Sequence, residues 1–126
     1  MFRIRKEQLD HFADRAREQF VAKMRAYVRE SFGDYVEGKS DAELVTWVRQ
    51  ALARCERFGV ATEPEAAQLV LLYLQLGLDV HEREPWARDA LEARGLAPIG
   101  KMRKLVRAAR ANGFDELDDV LGYDEM

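Results

Sequence analysis

The stretch Thr62-Glu63-Pro64-Glu65-Ala66-Ala67-Gln68-Leu69-Val70-Leu71-Leu72-Tyr73-Leu74-Gln75-Leu76-Gly77 decides the fold. Threonine followed three residues later by glutamate has the form of a capping box. Pro64 stands in the first turn, where helical N–H groups lack partners in any case, and Gly77 supplies a stop. Between these signals the apolar residues face nearly every direction around a helix, as they do in a helix enclosed by others. The run falls short of the ~20 apolar residues that a bilayer requires. A central apolar helix of this kind implies an all-α, single-domain bundle of about five helices.

Upstream, Ser40-Asp41-Ala42-Glu43 reads as another capping box. It opens a helix with Leu44, Val48, Ala51, Leu52, Cys55 and Phe58 on one face, closed by Gly59, with Trp47 on the flank. Before it, Leu9, Phe12, Ala16, Phe20, Met24 (or Lys23), Tyr27 and Val28 recur at three- and four-residue steps. They predict a long N-terminal helix over about 6–31, roughly 39 Å at the α-helical rise, with Gly33 as its stop. Met1 to Arg5 alternates apolar and basic and reads as an extended arm, and 34–39 as a linker.

Downstream, 78–84 reads as a polar loop. Proline-in, glycine-out punctuation then marks helices over 85–94 and 98–111, stopped by Gly95 and Gly113. Beyond Gly113, Phe114, Leu117, Val120 and Leu121 lie at helical spacing in an acidic background. The organisation expected is a helical bundle over 1–113 and an acidic amphipathic tail over 114–126.

A chain of 126 residues fits one domain that needs no metal or disulfide to fold. Cys55 is the sole cysteine, which excludes an intrachain disulfide and any multi-cysteine zinc site. No signal-peptide pattern or membrane-length apolar run is evident, so the cytoplasm is the expected location and no membrane partner is expected. The net charge of −3 argues against the whole chain being a polyanion binder, but its distribution is uneven. Lys101, Arg103, Lys104, Arg107 and Arg110 fall together with no acid among them. Asp115, Glu116, Asp118, Asp119, Asp124 and Glu125 then follow with no base.

Catalytic patterns are thin. His11 and His81 stand far apart, outside any zinc-binding spacing. Asp79-Val80-His81-Glu82-Arg83-Glu84 is the densest titratable cluster; a weak divalent-metal site is one reading, and a solvated loop is the better one. Cys55 lies on an apolar stripe, as a buried inert thiol would. No glycine-rich phosphate loop is present, and Ser31 and Ser40 are accounted for by helix ends. No enzyme, cofactor or metal is therefore expected. The helices either side of Gly95-Leu96-Ala97 permit a helix-turn-helix, with 99–111 as a DNA-binding regulator's basic helix. That helix lacks short polar base readers at its start, however, which argues against nucleic acid.

Contact with another protein has more support. Trp47 and Trp86 sit near helix borders, where aromatic residues serve as core or as interface anchors. Lys101, Arg103, Lys104 and Arg107 offer a basic face. Phe114, Leu117, Val120 and Leu121 suit a helix-in-groove contact, on this domain or on a partner.

Arg3-Ile4-Arg5-Lys6-Glu7-Gln8, then Arg57-Phe58-Gly59-Val60 leading into Thr62-Glu63-Pro64-Glu65, and finally Leu76-Gly77-Leu78-Asp79 with Pro85-Trp86-Ala87, carry a resemblance. In this order they resemble a group of small proteobacterial helical proteins, often encoded beside type VI secretion effectors and their spike-tip proteins. The resemblance covers about 3–94, and the basic helix and acidic tail depart from it. It implies an accessory, adaptor or chaperone role toward a secreted effector, or an immunity protein that neutralises a toxin. No catalytic residues carry over from it.

Overall fold

The computed structural model describes residues 2–60 and 62–114, with side chains from Asp14 onward. The protein is all-α: among the described residues there are six α-helices, one 3₁₀ turn and no strand. The helices are α1 (Phe2–Ser31), α2 (Asp41–Arg57), α3 (Glu63–Leu76), α4 (Val80–Arg83), α5 (Pro85–Leu91) and α6 (Pro98–Ala111). The chain divides into two compact units, Met1–Arg49 and Gln50–Met126, and α2 contributes to both.

In the first unit α1 begins at Phe2, so the extended arm expected before Lys6 is helix instead. Nothing in Phe2 to Arg5 opposes a helix: there is no proline, no glycine and no competing cap. Phe20, Val21, Met24 and Val28 are buried, at the three- and four-residue steps of a single stripe, which settles Met24 over Lys23. Leu9 and Phe12 lie outside the described side chains.

Gly33 is not the left-handed stop expected of it. It opens a 3₁₀ turn, Gly33–Val36, whose Val36 is buried, and the positive φ falls at Gly38 (87°). Arg29 holds this turn in place. Its guanidinium donates to the carbonyls of Val36 (3.4 Å) and Lys39 (2.9 Å) and to the Asp41 carboxylate (3.0 Å). The capping box at the start of α2 is complete. The Glu43 N–H donates to Ser40 Oγ at 3.1 Å, and the Ser40 N–H to Glu43 Oε1 at 2.9 Å. That backbone donor, with the Ser40 hydroxyl, holds the Glu43 carboxyl below its ordinary value.

In the second unit α3 is the central helix expected from its sequence, with Ala66, Gln68, Leu69, Val70, Leu71, Leu72, Tyr73 and Leu76 buried. Each large apolar side chain so enclosed contributes about 1.5–3 kcal/mol of transfer free energy. Its cap differs from the expected box. Thr62 Oγ1 donates to Glu65 Oε2 at 2.8 Å and bonds no backbone N–H. Pro64 explains part of this, because it removes one of the early N–H groups that a cap oxygen normally accepts from.

Two segments are shorter or more ordered than expected. The supposed loop at 78–84 contains α4, a single turn that buries Val80 and His81. α5 ends at Leu91, not near residue 94. α5 packs along α6, α4 along α5, and α3 also meets α6.

The ends of α2 and α6 share one device. At α2, Gly59 takes φ 75° and the Val60 N–H reaches back to the Cys55 carbonyl at 2.8 Å. At α6, Gly113 takes φ 105° and the Phe114 N–H reaches the Ala109 carbonyl at 3.0 Å. Both are the six-to-one bond of a Schellman motif, with an apolar residue just after the glycine.

Candidate functional site

α6 is two-faced. Met102, Leu105, Val106 and Ala109 are buried, while Arg103, Lys104, Arg107 and Arg110 are exposed. Arg103, Arg107 and Arg110 follow at i, i+4 and i+7, so they stand in one row, with Lys104 on its flank. The row continues toward the helix start through Gly100, where no side chain projects. The Leu96 side chain lies over that gap: a Cβ at Gly100 would meet it at 3.5 Å. Leu96 is 40% exposed, one of two large apolar side chains open to solvent among the described residues. The surface is therefore a basic row ending at an apolar knob. The sequence reading named Arg103, Lys104 and Arg107 but missed Leu96 and left Arg110 as part of a charge count. Leu96 stands four residues before Gly100, and Arg110 three after Arg107, which was the available signal.

Lys101 has a different position. Its ammonium donates to the Phe58 carbonyl at 2.7 Å, and it is half-buried. It tethers the end of α2 and does not stand in the exposed row. A lysine at a helix C-terminus meets the negative end of the backbone dipole, which favours this bond.

Trp86 and Phe114 are brought together, their ring centroids 5.9 Å apart and tilted by 57°. The Trp86 indole N–H donates to Glu84 Oε2 at 2.8 Å, so both rings are fixed, each half-buried. Phe114 thus docks on its own chain. Leu117, Val120 and Leu121 lie outside the described residues. Trp47 belongs to the first unit and is half-buried on α2.

The cluster at 79–84 is not a solvated loop throughout. His81 is 4% exposed, its ring edge-on to Phe58 at 5.2 Å. Neither of its nitrogens has a hydrogen-bond partner. Burial, and then the Arg57 charge, hold it below its ordinary value, which favours the neutral imidazole. Arg83 is turned the other way, donating to Asp79 Oδ1 at 3.0 Å and to the Leu76 carbonyl at 2.6 Å. Arg83 in turn holds the Asp79 carboxyl below its ordinary value. Among the described residues no group of three or more His, Cys, Asp or Glu could hold a metal ion.

Cys55 is fully buried, with its sulfur 3.8 Å from the Ala66 carbonyl. Burial, aided by Glu56, pushes its thiol up to about 12. The Tyr73 hydroxyl is likewise buried and unpartnered, and burial raises its value as well. Neither group is poised for nucleophilic or acid–base work near neutral pH. No helix among the described residues is long and apolar enough to cross a membrane. Comparison with models of known protein families, with curated proteins and with solved structures returned no match.

Proposed function

We propose that the chain is a non-catalytic protein-binding module that engages an acidic surface of another protein through the outer face of α6. The observation that carries this reading is the row of Arg103, Arg107 and Arg110, flanked by Lys104 and ending at exposed Leu96. Four exposed bases on a helix with no acid of its own form a field that steers an anionic partner. An apolar knob at one end adds area that simple charge does not.

A protein surface fits better than a nucleic acid. The first turn of α6 holds Pro98, Ile99 and Gly100, and Lys101 is engaged on Phe58, which leaves no side chain there suited to reading base edges. The role that accords with the resemblance noted above is an accessory adaptor or chaperone for a secreted effector, and toxin neutralisation is its close variant. Cytoplasmic action belongs to the same proposal.

The test is a charge-reversed chain carrying Lys104→Glu, Arg107→Glu and Arg110→Glu. Nuclease-treated extract of the native host is passed over the original and the reversed chain. A protein retained by the original and lost on reversal supports the reading. Retention that disappears with nuclease treatment alone assigns the face to nucleic acid instead.

A further inference from the structure

Tyr35 is the other large apolar side chain open to solvent among the described residues, at 47% exposed, and it ends a series of three rings. Tyr27, near the end of α1, meets Phe32 with ring centroids 6.0 Å apart and planes tilted by 55°. Phe32 meets Tyr35 at the same 6.0 Å, tilted by 49°. Tyr27 and Tyr35 make no ring contact with each other, so the series is open and does not close into a box. Tyr27 and Phe32 are half-buried and so show part of each ring to solvent. The turn that carries Tyr35 is fixed from beneath. Val36 is buried, the Tyr35 N–H donates to the Phe32 carbonyl at 3.0 Å, and Arg29 holds the carbonyls of Val36 and Lys39. Rings held in place beforehand lose little freedom on binding.

The charge around the rings is of one sign. Residues 30–37 contain Glu30, Asp34 and Glu37, all exposed, and no base. Glu30 stands three residues after Tyr27 on α1, hence on the same face of the helix. None of the three acids is in an ion pair among the described residues. Of the bases at the borders, Arg29 is committed to Asp41, and Lys39 follows Gly38.

We infer that this face docks a proline-rich segment of another protein, with arginine beside its prolines. Rings tilted in this way leave shallow clefts between them, and polyproline II segments dock on aromatic-lined surfaces of that kind. From Tyr27 to Tyr35 the series reaches at most about 12 Å. That is the length of about four residues at the polyproline II rise. A polyproline II backbone makes no internal hydrogen bonds, so its carbonyls are open to the exposed Tyr35 hydroxyl. The arginines meet Glu30, Asp34 and Glu37, which orient the segment and exclude acidic ones. This face is independent of α6: it takes bases, where the α6 row takes acids.

The probe is a fluorescent octaproline ending in two arginines, titrated onto the full chain at low salt. Saturable binding is expected, weakened about tenfold by Tyr35→Ala, as for loss of an interface anchor. Thermal unfolding of that variant checks that its fold is intact. Asp34→Lys with Glu37→Lys should weaken this probe and leave plain octaproline unaffected. Amide NMR shifts on binding are expected at 27–37 and not on α6. No saturable binding, or binding indifferent to Tyr35→Ala, overturns the proposal. Equal binding of a glycine–serine peptide with the same two arginines reduces the face to a charge contact and overturns it too. So does tighter, Tyr35-dependent binding of an alanine-rich helical peptide bearing the two arginines, which assigns the rings to a helix.

Discussion

The ammonium of Lys101, in the first half of α6, donates to the carbonyl of Phe58 at the end of α2, 2.7 Å away. The pairing closes one of the carbonyls that a helix end leaves open, and it joins elements 43 residues apart in sequence. Charge-assisted bonds of this kind contribute roughly 1.5–3 kcal/mol, less where solvent reaches them, so about 1–2 kcal/mol is expected here. Lys101→Met, which keeps most of the stem, should lower unfolding stability by that amount in urea. It should leave partner retention intact, whereas Arg107→Glu does the reverse. A Lys101→Met chain as stable as the original would remove the tether from the account.

His81 makes stability depend on pH in a defined direction. Its ordinary value is 6.5, and burial lowers it in the folded chain. The unfolded chain therefore takes up a proton first as pH falls, and stability is lost from about that point downward until the folded value is passed. The charged groups that act on the ring are Arg54 and Arg57 on α2, Glu82 on α4, and Glu92 after α5. The Glu82 carboxylate, 3.8 Å from Nε2, opposes the shift but is itself exposed. The melting temperature should fall between pH 7 and pH 5 (about the ordinary histidine range) and much less in His81→Leu. Equal slopes in the two chains would show that His81 is not responsible. Glu43 and Asp79, both held low, lose their contributions only in the more acidic carboxylate range, so the windows separate.

Two sequence patterns of the same form give different caps, and mutation should separate them. Ser40 accepts from the Glu43 N–H, while the Thr62 hydroxyl is directed to the Glu65 carboxylate. Ser40→Ala should cost about 1 kcal/mol, and Thr62→Ala only a few tenths. Equal losses in chemical denaturation would mean that the Thr62 hydroxyl caps the backbone in solution.

These cases also show how far the sequence could be read. α3 was legible because its apolar residues need no periodicity to announce burial, and α6 because proline and glycine bracket it. Ser40 and Thr62 look alike in sequence, and what separates them is the proline two residues after Thr62, which removes an N–H. His81 was hidden by charged neighbours that suggest a solvated loop. Its burial is set by Phe58, which a local window does not include. Lys101 was grouped with the exposed bases for the same reason: its acceptor lies on another helix. Leu96 lies just before α6 begins at Pro98, so its four-residue spacing to Gly100 is easily passed over. Local chemistry was readable, and pairings between elements were not.

Gly77 is required on two counts. Its φ of 101° is one that side-chain-bearing residues avoid, and an added Cβ would come within 2.9 Å of Arg83 Nη2 and 3.1 Å of Asp79 Oδ1. Gly77→Ala must therefore strain the backbone and also disturb the Arg83 bonds to Asp79 and to the Leu76 carbonyl. A loss of roughly 2 kcal/mol is expected, more than the ~1 kcal/mol typical of a positive-φ glycine alone. In an Arg83→Ala background the closest of these contacts is gone and only Asp79 Oδ1 remains, so the same substitution should cost less. Additive losses would show that Arg83 does not crowd the site.

The contact between Trp86 and Phe114 marks where the chain leaves α6, and its strength can be measured without reference to any partner. The rings are tilted at 5.9 Å, within the range where aromatic pairs add about 0.5–1.5 kcal/mol beyond their burial. Both are half-buried, which places the expected value toward the lower end. A double-mutant cycle with Trp86→Leu and Phe114→Leu should therefore return a coupling of about 0.5–1 kcal/mol. In a Trp47→Phe chain, where Trp86 is the remaining indole, Phe114→Leu should also alter the native fluorescence. The carboxylate of Glu84, which receives the indole proton, is untouched by that change. A spectrum and a cycle that both show no coupling would place Phe114 away from Trp86 in solution.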